Sequence, residues 1–184
     1  MKFKNPYQQK PWLRQYDEFV PSSLQYPELN LAQVLEKTVE KYPEKICLHF
    51  QGRNLTYRQV SAASDALAKW LISWGIKKGE RIGLLLPNSP QFVIAFFAVQ
   101  KVGAIVVAMN PFYKKPELLT IIQECDIRYI FCMRENLEVL QEIHFLFSLQ
   151  KIIVSEKEDF EESFSNLVSK EEILFQQENS GAFL

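Results

Sequence analysis

The stretch Arg81–Tyr113, RIGLLLPNSPQFVIAFFAVQKVGAIVVAMNPFY, decides the fold. Its opening run, Ile82-Gly83-Leu84-Leu85-Leu86, is apolar without alternation, which fits a strand buried on both faces. Pro87-Asn88-Ser89-Pro90 breaks the run. Ser89 is placed to cap a helix, and Pro90 suits the first turn, where a missing N–H is no loss. Phe92, Ala95, Phe96 and Val99 then recur at helical spacing, and Gly103 is placed to stop the helix. A β-branched run, Ile105-Val106-Val107, follows at once. Strand, helix and strand in about thirty residues form a βαβ unit, so the two strands should be parallel neighbours.

Working outward toward the N-terminus, Thr56 and Gln59 form a capping box for a helix whose apolar stripe is Val60, Ala63, Leu67, Trp70, Leu71 and Trp74. Gly75 ends it. At that spacing the tryptophans read as core rather than as a ligand platform. Lys45–Phe50 alternates and turns through Gln51-Gly52-Arg53-Asn54 into Leu55-Thr56, a hairpin with His49 as an ordinary polar residue on a strand face. Asn30 caps a helix through Leu31, Val34, Leu35, Thr38 and Val39 that ends at Tyr42-Pro43. Residues 1–30, rich in Pro, Tyr and Gln, show no period and read as an extended arm.

Toward the C-terminus, Pro116–Glu124 reads as a helix, Arg128–Cys132 as a buried strand, Asn136–Phe147 as a helix and Lys151–Val154 as a strand. The acidic run Glu156–Glu162 reads as solvated, and Phe160, Phe164, Leu167 and Val168 line one side of a short helix. Strands alternating with helices predict an α/β domain with a largely parallel sheet flanked by helices.

A hydrophobic content of 47% and an aromatic content of 13% argue for a packed core. A net charge of −1 gives no reason to expect a nucleic-acid partner. Cys47, Cys125 and Cys132 are odd in number and lack a CxxC spacing, which fits buried free thiols in a reducing cytoplasm. His49 and His144 lie far apart without ligand-like company, so no metal site is expected. The basic start Met1–Trp12 is not followed by the apolar region of a signal peptide. The most apolar window, Phe92–Val99, is far short of the roughly 20 residues that span a bilayer.

Four pieces of the chain resemble the N-terminal part of adenylate-forming acyl-CoA synthetases: Gly79-Glu80-Arg81-Ile82, Leu86-Pro87-Asn88, Val102-Gly103-Ala104 and Asn110-Pro111-Phe112-Tyr113. Leu55-Thr56-Tyr57-Arg58-Gln59-Val60 is similar to that family's "L-T-Y-x-x-[LV]" motif. Trp12-Leu13-Arg14-Gln15-Tyr16, followed by Val20-Pro21, resembles the opening of bacterial long-chain fatty-acid ligases and favours the fatty-acyl branch. The family often places a threonine cap after the tyrosine of N-P-x-Y, where this chain has Lys114. That departure weakens a helix cap by about 0.5–2 kcal/mol.

The resemblance implies an incomplete N-terminal portion of the large domain of the adenylate-forming ligase fold, with residues 1–30 as the arm and 31–184 as a partial AMP-binding domain. Such ligases join a carboxylate to the α-phosphate of ATP and then pass the acyl group to the thiol of coenzyme A. That chemistry implies ATP, Mg²⁺ and coenzyme A as cofactors of the complete enzyme, and none for this chain. The phosphate loop, "[ST]-[SG]-G-[TS]-[TS]-G-x-P-K", occurs nowhere in residues 1–184, and the only glycine after Gly103 is Gly181. Walker A and GxGxxG patterns do not occur either. Ser180-Gly181-Ala182-Phe183-Leu184 resembles the segment that leads into the phosphate loop, so the chain is expected to stop before it.

No catalytic, cofactor-binding or metal-binding residue is therefore assigned. Asn88, Asn110 and Tyr113 are the best-matched polar positions and read as turn and packing residues near a strand-end crevice. The leading expectation is a fragment of a long-chain fatty-acid:CoA ligase. Its partners are the remainder of the ligase, in the same or a separate chain, and the fatty acid of the complete enzyme. It is placed in the cytoplasm, with room for peripheral contact at the inner membrane surface. The competing expectation is a non-catalytic binding or regulatory subunit. A small flavodoxin-like nucleotide binder is disfavoured, because no phosphate-cradling loop follows any strand. Without the rest of such a ligase, the apolar faces of Ile82–Leu86 or Ile105–Val107 should be left partly uncovered.

Overall fold

The computed structural model describes residues 6–144, 149 and 151–155. The acidic run, the short helix after it, the lead-in at 180–184 and the far end of the helix expected to reach Phe147 lie outside the described residues.

Four strands, β3 (Arg81–Leu85), β4 (Ile105–Ala108), β5 (Tyr129–Met133) and β6 (Lys151–Ser155), form a parallel sheet in the order β4-β3-β5-β6. The chain leaves β3 through α3 (Pro90–Lys101) to β4, crosses back through α4 (Lys115–Glu124) to β5, and runs on through α5 (Leu137–His144) to β6. That order puts β3 and β5 side by side at the centre. It also makes the space between them the place where connections depart in opposite directions, the switch point at which open α/β sheets form crevices.

The two faces of the sheet carry separate cores. Ile82, Leu84, Leu86, Tyr129 and Phe131 pack with Val60, Leu67 and Leu71 of α2 (Tyr57–Ser73) and with Ile94, Ala98 and Val99 of α3. On the opposite face, Leu85, Ile130 and Cys132 pack with Leu118 and Ile122 of α4 and Leu140 and Ile143 of α5. A strand between two helix layers needs apolar residues at successive positions, which is why the β3 run lacks alternation. Gly83 serves that packing by its lack of a side chain. A Cβ there would lie 2.6 Å from Met109 Cε and 3.2 Å from Ile130 Cγ1.

Local signals set the helix boundaries. Thr56 and Gln59 form the expected capping box at α2, and Ser89 Oγ accepts from the Phe92 N–H at 3.4 Å, with Pro90 in the first turn of α3. Gly75 and Gly103 follow α2 and α3 with φ of +81° and +74°, in the left-handed region where a Cβ is penalised. Asn30 caps α1 (Leu31–Lys41) in a second reciprocal box with Gln33.

Three details depart from the expected pattern. The turn between β1 (Ile46–Phe50) and β2 (Arg53–Thr56) is only Gln51-Gly52. Both residues have positive φ, as a two-residue hairpin turn requires, so Arg53 and Asn54 join the ladder instead of the loop. In α1 the buried positions are Ala32 and Leu35, three apart on one face, while Leu31 and Val34 stay half exposed. In α3 the buried line runs through Gln91, Ile94, Ala95, Ala98 and Val99, with Phe92 and Phe96 at its margin. This helix is apolar nearly all round, so spacing alone does not select a face.

Lys101 joins α3 to α2. Its side chain is 8% exposed, and its ammonium meets Asp65 Oδ1 at 2.5 Å and Ser61 Oγ at 3.2 Å. Residues 6–30 contain two short 3-10 turns, Pro6–Gln9 and Pro11–Gln15, and expose Tyr7, Trp12, Phe19 and Tyr26.

Candidate functional site

The carboxyl ends of β3, β4 and β5 converge on a crevice of about 460 Å³. Pro87 comes from the β3 end, Pro111, Phe112 and Tyr113 from the β4 end, and Met133, Glu135 and Asn136 from the β5 end. Lys114 and Lys115 at the start of α4 and Val139 of α5 complete it. The lining is mostly apolar with a few polar groups, the usual composition of a small-molecule site.

The polar residues singled out by motif divide here. Asn110 is a turn residue: its Oδ1 accepts from the Phe112 N–H at 3.0 Å, and its carbonyl accepts from the Tyr113 N–H at 3.0 Å. Tyr113 packs half-buried against the core on the α4 and α5 side and also lines the crevice. Asn88 is exposed and does not line it. Asn136, which the sequence marks only as the start of a helix, has a second role. Its Nδ2 donates to the Pro111 carbonyl at 2.9 Å and ties the β5 loop to the β4 loop. Nothing within either loop signals a bond that spans 25 positions of sequence. Lys115 Nζ meets Glu142 Oε2 at 2.7 Å across α4 and α5. With both side chains about half exposed, that pair contributes little to stability.

Neither of the two nearby helix starts presents a free set of N–H groups. Phosphate binding at a helix start needs free N–H groups and no competing anion. At α3, Pro90 has no N–H and the Phe92 N–H is already given to Ser89. At α4, Lys114 has no acceptor to offer as a cap. The Lys114 N–H is held by Glu117 Oε2 at 2.8 Å, which places a carboxylate where a phosphate would sit. Among the described residues no group of three or more His, Cys, Asp and Glu is arranged to hold a metal ion. Cys132, on β5 just below the crevice, is fully buried, and desolvation pushes its thiol up to about 12. It stays protonated at neutral pH and is no nucleophile.

Residues 35–180 match the AMP-binding enzyme family. A long-chain-fatty-acid--CoA ligase of Bacillus subtilis is 34% identical over 125 residues, 68% of this chain and 22% of that protein. One of Escherichia coli O6:H1 is 28% identical over 152 residues, covering 82% of this chain and 27% of that protein. The chain thus spans about a quarter of the length of these curated relatives. Among solved structures, the anthranilate CoA ligase AuaEII in complex with anthranoyl-AMP superposes with a TM-score of 0.69 at 28% identity, over 80% of this chain and 29% of that one. A long-chain-fatty-acid-CoA ligase of Archaeoglobus fulgidus shares the fold with a TM-score of 0.68 at 23% identity, over 84% of this chain and 32% of that one. The α/β sheet built here is therefore a part of the adenylate-forming ligase fold, and the chain belongs to the AMP-binding enzyme family.

Proposed function

We propose that this chain is the sheet scaffold of a long-chain fatty-acid:CoA ligase whose ATP, Mg²⁺ and coenzyme A are handled by residues outside these 184. The observation that carries the reading is the family match over residues 35–180 together with the absence of any phosphate-cradling loop in the sequence. The fatty-acyl branch is supported by the Trp12–Pro21 opening and by the names of the relatives. Acyl-adenylate formation needs a preorganised set of donors and charges around the α-phosphate. Neither the start of α4 at the crevice nor the start of α3 near it offers one.

The purified chain, mixed with ATP, Mg²⁺, palmitate and coenzyme A, is expected to give no AMP and no acyl-CoA above a heat-treated control. Co-expression with the part of the Bacillus subtilis ligase that follows the matched region is expected to give palmitoyl-CoA. Product from the chain alone overturns the scaffold reading. Tight assembly that never yields product, together with normal turnover by the intact Bacillus ligase, favours the non-catalytic subunit.

A further inference from the structure

At the opposite end of the sheet, the amino ends of β3 and β5 border a second cavity, of about 340 Å³. The register pairs Ile82 with Tyr129, so Arg81 and Arg128, one residue earlier, open adjacent strands side by side. Strand spacing places their backbones about 5 Å apart. Like charges on neighbouring strands repel. Asp126 and Glu80 in the same lining offset only part of that repulsion. Arg128 reaches Asp126 Oδ2 only at 3.5 Å in an exposed pair, and Arg81, Lys77 and Lys78 make no ion pair among the described residues. The Glu80 carboxylate is engaged by the Lys77 N–H at 2.7 Å.

Tyr129 supplies the second observation. It is 5% exposed and lines this cavity. Burial and the nearby Glu80 charge both push its ionisation upward, so the hydroxyl is a donor at neutral pH. Two guanidiniums, two ammonium groups, two carboxylates and a phenol line this one concavity, which leaves it with an excess of positive charge.

We propose that this cavity binds a compact dianion of the phosphate-monoester class, held by Arg81 and Arg128 with the Tyr129 hydroxyl as a neutral donor. Guanidinium groups match phosphate oxygens two at a time, and a dianion relieves the repulsion that the strand register imposes. The site lies across the sheet from the crevice and does not depend on the ligase reading.

The 184-residue chain is titrated with inorganic phosphate and with glycerol 3-phosphate while amide NMR signals are followed, with acetate and chloride at matched ionic strength as controls. The expected result is saturable shifts of the amides at 79–81 and 128–129 with both phosphates, and none with acetate or chloride. Arg81→Gln/Arg128→Gln is expected to abolish saturation, and Tyr129→Phe to weaken it by about five-fold, as for loss of one hydrogen bond. Without phosphate, the double variant should melt no lower than the parent chain, because it loses a repulsion. Equal shifts with chloride, or unchanged binding in the double variant, overturn the proposal. If the double variant does not fold, Arg128→Gln alone, with about ten-fold weaker binding expected, decides it the same way.

Discussion

Strands β3 and β4 have similar apolar composition and opposite fates. Ile82, Leu84 and Leu85 of β3 are fully buried, whereas Ile105 of β4 is 47% exposed and Ala108 is exposed as well. Among the described residues β4 pairs with β3 alone. Residue type does not separate the two; position in the strand order does. The crossovers through α4 and α5 carry β5 and β6 to the far side of β3, which gives β3 two neighbours and two helix layers. The expected uncovered surface therefore falls on one of the two candidate strands, β4.

The largest effect should come from truncating equivalent side chains in the two strands. Leu84→Ala empties a fully buried position and should lower stability by about 2–5 kcal/mol. Ile105→Ala, on the exposed edge, should change it by about 0.5–1 kcal/mol. Urea unfolding of both variants measures the contrast. Equal losses would mean that β4 is covered in solution, for instance by a second copy of the chain.

Gly83 tests how tightly the centre is filled. Gly83→Ala drives a methyl group toward Met109 Cε and Ile130 Cγ1 and should cost about 1–3 kcal/mol, toward the low end because the Met109 end is flexible. Combined with Met109→Ala, the two losses should sum to less than their separate values, since each change makes room for the other. Strict additivity in a double-mutant cycle would refute the close approach.

These contrasts also mark what the sequence could reveal. The βαβ unit, the caps at Thr56 and Ser89 and the stops at Gly75 and Gly103 were legible, because each rests on neighbours a few positions apart. The sheet order was not, because it depends on which way each crossover turns. The Asn136 bond to Pro111 and the Lys101 pair with Asp65 span 25 and 36 positions and leave no local pattern. Asn110 bonds within its own turn, which is a local pattern, and Tyr113 packs beside the crevice, whereas the Asn136 bond exists only where two distant loops meet.

Cys132 extends the contrast into pH. Its folded-state thiol is raised from 9.0 to about 12, so above pH 9 the unfolded chain loses a proton that the folded chain keeps. The stability linked to this thiol is complete below pH 9 and is lost as pH climbs toward 12, by roughly 1 kcal/mol near pH 10. Tyr129, also raised, acts in the same direction. Cys132→Val should flatten the decline of the urea midpoint between pH 9 and 11. In the native chain iodoacetamide should modify the half-buried Cys47 and Cys125 well before Cys132. Early modification of Cys132 would show that β5 opens far more easily than its burial implies.

The smallest effect concerns the helices that follow the two strands. After central β3, α3 begins with a hydroxyl cap, whereas after edge β4, α4 begins with Lys114, which cannot accept a hydrogen bond and puts a positive charge at the positive end of the helix. Lys114→Thr supplies an acceptor for the Glu117 N–H while the Glu117 carboxylate keeps its bond to residue 114, completing the reciprocal box. Stability should rise by about 0.5–1 kcal/mol. The mirror change, Ser89→Ala, should lower it by about 0.5 kcal/mol, the low end for a cap, because that bond is already long at 3.4 Å. Melting temperatures of the two variants give opposite signs if the caps act alone. A loss on Lys114→Thr would mean that the Lys114 side chain holds the crevice loop in place, so that the edge half of the domain trades helix stability for that position.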